Sequence, residues 1–167
     1  SWACWKSTGA CPPSLESARA TGCATGCSRT ASAVLRPAEP PRGFVRFPDR
    51  GPFSSHIGPF WRKSVPDGVL HGFLVEAHHC NNMGTLHGGM IAAFLDGALA
   101  HAAYRLAPAP AVTVRMSVDY LGCGALGDWI EGAARALAMH DGLIVVRGEA
   151  LRGGTPLMAA QALFKLV

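Results

Sequence analysis

"HCNNMGTLHGGMIAAFLDGALAHAAYRLA", residues 79–107, passes from a polar loop into a long run dominated by Ala and Leu, with one carboxylate, Asp96, inside it. The run from Met90 to Ala107 consists largely of strong helix formers and is stopped by Pro108 and Pro110, so it predicts a helix. Being apolar on nearly every face, that helix is expected to be buried. A charge placed there is costly, and Asp96 therefore needs an explanation.

Downstream, "AVTVRMSVDYLG" (111–122), "GDWIEGAARALAMH" (127–140), "GLIVVRGEALRG" (142–153) and "PLMAAQALFKLV" (156–167) all read as strands. Short turns at Gly122 to Gly127, Asp141-Gly142 and Gly153-Gly154 predict antiparallel hairpins, the last most clearly. Upstream, "VLHGFLVEAHH" from Val69 suits a further strand. "RGFVRFPDRGPFSSHIGPFWRKS" (42–64) sets turn residues among aromatics and reads as a lid or lead-in segment. The architecture expected is α+β, with an antiparallel sheet wrapped around one long central helix. Such a sheet has open edges and leaves the far face of its helix uncovered, which predicts a homodimer.

With 167 residues, 49% hydrophobic and 16% charged, the chain suits one globular domain. Of the net charge of +4, residues 1–43 supply +3, from Lys6, Arg19, Arg29, Arg36 and Arg42 against Glu16 and Glu39. The rest is close to neutral and lacks the basic stripe of a nucleic-acid binder. Cys4, Cys11, Cys23 and Cys27 also lie in this first stretch, among small residues with no sustained apolar period. A disordered leader, an organelle-targeting peptide and a small metal knuckle are the three readings. The leader is preferred, because paired C-x2-C hooks and a secretory apolar core are both missing. The expected organisation is a tail over 1–43 and a folded domain over 44–167. Cys80 and Cys123 are too isolated for a disulfide scaffold, which predicts a reducing, cytoplasmic setting. The most apolar run is interrupted by Asp96, His101 and Arg105, so no membrane span is expected.

Residues 88 and 89 are glycines at the expected start of the helix, where backbone N–H groups lack partners and the dipole favours negative charge. Without side chains they let a carbonyl approach closely, and Gly88 N–H is a candidate oxyanion donor; close packing of helix on sheet would also explain them. Asp96 lies past the first turn and cannot be a capping residue. Its expected desolvation raises its pKa and makes it a better proton acceptor. Otherwise it is a buried Asp satisfied by backbone or by Thr113.

The run Asn81-x2-Gly84-Thr85-x-His87-Gly88-Gly89, followed by Asp96 in the helix and then four strands, resembles the hotdog-fold acyl-CoA thioesterases of the phenylacetate-pathway (PaaI-like) type. The resemblance covers about residues 44–167 and is strongest over 79–120. It implies hydrolysis of acyl-CoA thioesters without a metal or other cofactor. Asp96 would serve as general base or nucleophile, Gly88 would polarise the carbonyl, and Asn81 would place water or substrate. Thr113 would assist Asp96. For His87 an orienting role is preferred to acid–base work, and Gly89 and Phe94 are expected to touch substrate. Phe60, Leu95 and Tyr104 are further candidates for the pocket wall, so aryl and aliphatic acyl groups both stay open. His78, His79, Cys80 and His87 could suggest a metal, but neighbours on a strand point to opposite faces.

If His87 and Asp96 share one helix, nine residues separate them by roughly 13 Å along the axis, at ~1.5 Å per residue. One carbonyl cannot be served by both, which predicts sites shared between the chains of a homodimer or a dimer of dimers. A catalytically silent acyl-CoA-binding module is the alternative reading, and a hydratase or dehydratase on the same fold is a third.

Overall fold

The computed structural model describes residues 39–48 and 51–167, which fall in one compact unit. The readings placed on Cys4, Cys11, Cys23 and Cys27, and most of the expected 1–43 tail, lie outside the described residues.

The long helix, here α2, spans Gly88–Leu106, two residues further upstream than the Ala and Leu content suggests. Its cap explains the early start: the His87 ring Nδ1 accepts from Gly89 N–H at 2.9 Å, which ties the two glycines into the first turn. Leu95, Leu99 and Ala103 on α2 are fully buried, and Ile91, Phe94 and Ala98 nearly so. The opposite face, with Ala92, Ala93, Asp96, Gly97 and Ala100, is only half-buried. The helix is therefore sided in this chain, although its sequence is apolar all round.

It packs on an antiparallel sheet of seven strands: β1 (Val45–Arg46), β2 (Trp61–Val65), β3 (Gly68–Leu74), β4 (Ala111–Tyr120), β5 (Trp129–His140), β6 (Leu143–Arg152) and β7 (Thr155–Leu166). Their order across the sheet is β1-β2-β3-β5-β6-β7-β4. Phe73, Ile130, Ile144, Val146, Met158 and Phe164 supply the sheet side of the core. Where the helix comes closest, a Cβ on Gly132 would lie 2.8 Å from the Phe94 ring, so only glycine fits under that ring.

The hairpins at Asp141-Gly142 and Gly153-Gly154 are present, and all four turn residues have positive φ, from 49° to 83°. This is the handedness that matches the twist of the paired strands. The turn expected over Gly122 to Gly127 is not a hairpin. β4 pairs with β7 and β5 with β3, so residues 121–128 cross between strands that are not neighbours. Glycines in a loop report a change of direction and not which strand receives the chain.

Two further expectations are corrected. The strand from Val69 stops at Leu74, and Ala77–His79 form a 3-10 turn on which the His78 and His79 rings lie 3.8 Å apart, so the strand-face argument does not apply to them. The 42–64 segment is in part sheet, since β1 pairs with β2 and β2 with β3. A short helix α1, Pro52–His56, lies between β1 and β2. Among the described residues Cys80 is a free thiol. No helix among the described residues is long and apolar enough to cross a membrane.

Candidate active site

The loop that delivers helix α2 is held from within. Asn81 Oδ1 accepts from Met83 N–H at 2.9 Å and from Thr85 N–H at 3.2 Å, and Asn81 Nδ2 donates to Thr85 Oγ1 at 2.9 Å. The Asn81 amide thus closes a turn around Gly84, whose φ of 73° suits glycine. The crossover 121–128 supports this loop, with Leu86 N–H donating to Gly124 O at 2.9 Å and a bridge from Thr85 to Ala125. Asp128 holds the crossover in turn, accepting from Ala125 N–H at 2.7 Å and from Arg152 at 3.0 Å.

At the start of α2 the four orphan donors can be accounted for one by one. His87 N–H donates to His79 O, Gly89 N–H to the His87 ring and Met90 N–H to His87 O. Among the described residues none accepts from Gly88 N–H. The His87 ring thus caps its own helix, and Gly89 N–H is already engaged. A residue not singled out from sequence completes this end. Tyr120, at the end of β4, donates its hydroxyl to Gly88 O at 3.2 Å, and a Cβ on Gly88 would lie 3.1 Å from the Tyr120 ring. The Tyr stands thirty-two residues from Gly88 on a strand whose neighbours were not legible, so no local signal marked it.

Two turns along α2, Asp96 is half-buried and not sealed from water as its apolar sequence neighbours suggested. Those neighbours are mostly Ala, too short to cover it. Thr113 Oγ1 donates to Asp96 Oδ1 at 2.9 Å, so the two meet as expected. Asp96 also stands at a cavity of about 210 Å³ lined by Phe53, Ile57, Phe60, Trp61, His71 and Phe94 among others. Phe60 and Phe94 pack at 5.8 Å between ring centroids, and both touch Phe73. Of the other expected wall residues, Leu95 is sealed in the core and Tyr104 is exposed. His71, missed from sequence and itself part of this lining, hydrogen-bonds His101 at 3.0 Å.

The residues thus form two groups. Asn81, His87, Gly88, Gly89 and Tyr120 gather at the start of α2, while Asp96, Thr113, Phe60 and Phe94 gather at the cavity. Gly88 and Asp96 are separated by roughly 12 Å along one helix axis, at ~1.5 Å per residue.

One long helix on a curled antiparallel sheet, with this arrangement at the helix start, is a hotdog fold. Residues 83–159 match the model of the thioesterase superfamily. The candidate esterase PA0474 of Pseudomonas aeruginosa is 28% identical over 129 residues, which is 75% of this chain and 96% of that protein. Thioesterase superfamily member 2 of zebra fish is 26% identical with a TM-score of 0.65, covering 71% of this chain and 89% of that one. A variant of the phenylacetic acid degradation protein PaaI from Thermus thermophilus has the same fold, with a TM-score of 0.63 at 24% identity, covering 70% of this chain and 100% of that one. These likenesses support thioester hydrolysis as the class of activity.

Proposed function

We propose that the protein hydrolyses acyl-CoA thioesters at sites built by two chains. The observation that carries this reading is the pairing of a fixed carboxylate with a spare donor: Asp96, held by Thr113 at an aromatic cavity, and Gly88 N–H, which no described residue engages. In the proposed reaction the acyl group occupies the cavity, and Asp96 takes a proton from a water that attacks the thioester carbonyl. Gly88 N–H receives the oxyanion, and the helix dipole favours charge there. Collapse breaks the C–S bond, and the proton held by Asp96 goes to the departing thiolate. Direct attack by the carboxylate, followed by hydrolysis of the anhydride, uses the same groups.

Because Gly88 and Asp96 of one chain are too far apart for one carbonyl, the donor and the base come from different chains. The exposed features of this chain support that pairing. β4 is an edge strand with Val112, Val114 and Tyr120 each more than half exposed, and the Asp96 face of α2 is half-covered. A two-fold axis beside β4 would bring the start of one helix toward Asp96 of the other and bury this apolar edge. A cytoplasmic location belongs to the same proposal.

The test is release of free thiol from a panel of aryl- and alkyl-CoA esters. Turnover of at least one class is expected. Tight binding without turnover of any ester would instead identify a silent acyl-CoA-binding module.

A further inference from the structure

We infer that His79 is a positioning residue that ties the acyl cavity wall at Ile57 to the carbonyl-polarising start of helix α2 at His87. The inference rests on the hydrolytic reading above for its catalytic consequence, while the tie itself is a matter of geometry.

His79 is 1% exposed, although imidazole is a polar ring, and each of its polar contacts goes to backbone. Ring Nδ1 accepts from Glu76 N–H at 3.0 Å, and ring Nε2 lies 3.0 Å from Ile57 O. An amide N–H can only donate and a carbonyl oxygen can only accept. These partners therefore set one state of the ring, neutral with its proton on Nε2, donating to Ile57. The backbone carbonyl of the same residue accepts from His87 N–H at 2.9 Å, immediately before Gly88. Ile57 lines the cavity beside Asp96 and, as the residue that ends α1, holds its own N–H on Phe53 O at 3.1 Å. One residue thus touches both halves of the machinery: the wall against which the acyl group rests and the peptide that precedes the oxyanion donor. The ring is clamped edge-on by Phe73 at 5.4 Å and lies against the tilted His78 ring at 3.8 Å, which leaves it little freedom to turn.

A second proton on Nδ1 would face the Glu76 N–H and break that bond. Burial holds the His79 pKa below its ordinary 6.5, with the neighbouring His78 acting in the same direction and the Glu76 carboxylate and backbone acceptors opposing them. Phe73, the ring packed on it from β3, carries no charge, and Cys80 turns its thiol to Glu76 O. At neutral pH the ring is accordingly held at both nitrogens, and a proton on Nδ1 in acid releases its Glu76 end while Nε2–H still donates to Ile57 O.

Two substitutions separate the ends of the ring. His79→Gln keeps a donor at the reach of Nε2 and with it the tie to Ile57. His79→Asn keeps an acceptor near Nδ1, and so the local turn, but falls short of Ile57. Each full-length chain is followed by hydrogen exchange over residues 53–60 without substrate, and by thiol release from an acyl-CoA, between pH 5 and 8. His79→Asn is expected to exchange about ten times faster over 53–60 and to raise KM about tenfold at pH 7.5, with a smaller fall in kcat. His79→Gln should remain within about threefold of wild type in both. Equal exchange and KM in His79→Asn and wild type would overturn the inference. If His79→Asn does not fold, exchange over 53–60 in His79→Gln that is about ten times faster than in wild type at the same pH would overturn it equally. A wild-type chain inert toward every acyl-CoA would refute the hydrolysis and the catalytic consequence, while the exchange measurements still decide the tie.

Discussion

Thr113 Oγ1 donates a hydrogen bond to Asp96 Oδ1 at 2.9 Å, joining the edge strand β4 to the half-covered face of helix α2. The contact removes one of the directions in which the carboxylate could turn and leaves Oδ2 without a hydrogen-bond partner among the described residues. Asp96→Asn should keep the fold, because the amide oxygen still accepts from Thr113, and should lower turnover by at least about 100-fold. Thr113→Val should cost about tenfold in turnover, as expected for losing a hydrogen bond to a charged acceptor that is still partly solvated. Steady-state thiol release, with circular dichroism as the fold control, checks both.

At the other end of the site, Gly88→Val places a branched side chain against the Tyr120 ring, which already lies 3.1 Å from where a Cβ would be. We expect turnover to fall about 100-fold with a small change in melting temperature, since the position is in the half-exposed first turn. Wild-type kcat in this variant would show that no carbonyl has to approach residue 88 closely.

Sharing of sites is checked by mixing. Chains with Asp96→Asn and chains with Gly88→Val, each inactive alone, should form mixed dimers that contain one doubly damaged site and one intact site. With random pairing, activity returns to roughly a quarter of wild type, counting half the dimers as mixed and one site in two as intact. Purified mixed dimers as inactive as their parents would place the site within a single chain.

Stability should depend on pH through His79. Its folded pKa lies below 6.5, so in acid the unfolded chain binds a proton that the folded chain resists. The contribution is complete above pH 6.5 and is lost as pH falls toward and through the folded pKa. Urea midpoints measured from pH 7.5 to 5 should therefore fall more steeply for wild type than for His79→Gln.

The crossover that supports the Asn81 loop offers a test away from the chemistry. Arg152 donates to Asp128 Oδ2 at 3.0 Å and to Cys123 O at 3.2 Å. Arg152→Ala should cost about 1 kcal/mol, a modest value because the guanidinium is partly exposed. If the crossover also holds the start of α2 in place, KM should rise a few-fold, and a wild-type KM in the destabilised variant would argue against that support.

How much was legible without coordinates can be read from individual elements. The helix ended where Pro108 demanded, the two glycine-containing hairpins turned where positive φ was available, and the strands that became β4 to β7 lay within a residue or two of their expected bounds. These are local matters of propensity, capping and turn chemistry, to which neighbours in the chain contribute most. The spacing from Asn81 through His87 to Asp96 was also sufficient to bring the residues of the candidate site into view. Tertiary structure alone decided that β4 leaves the meander to pair with β7, that a 3-10 turn places His79 between Ile57 and His87, and that Tyr120 closes on Gly88. It also decided that Asp96 is half-covered and not sealed, because burial depends on which atoms arrive from distant elements and not on the apolar character of residues beside it in sequence. Each of these outcomes follows from contacts between segments far apart in the chain, whose energies no short window of sequence contains.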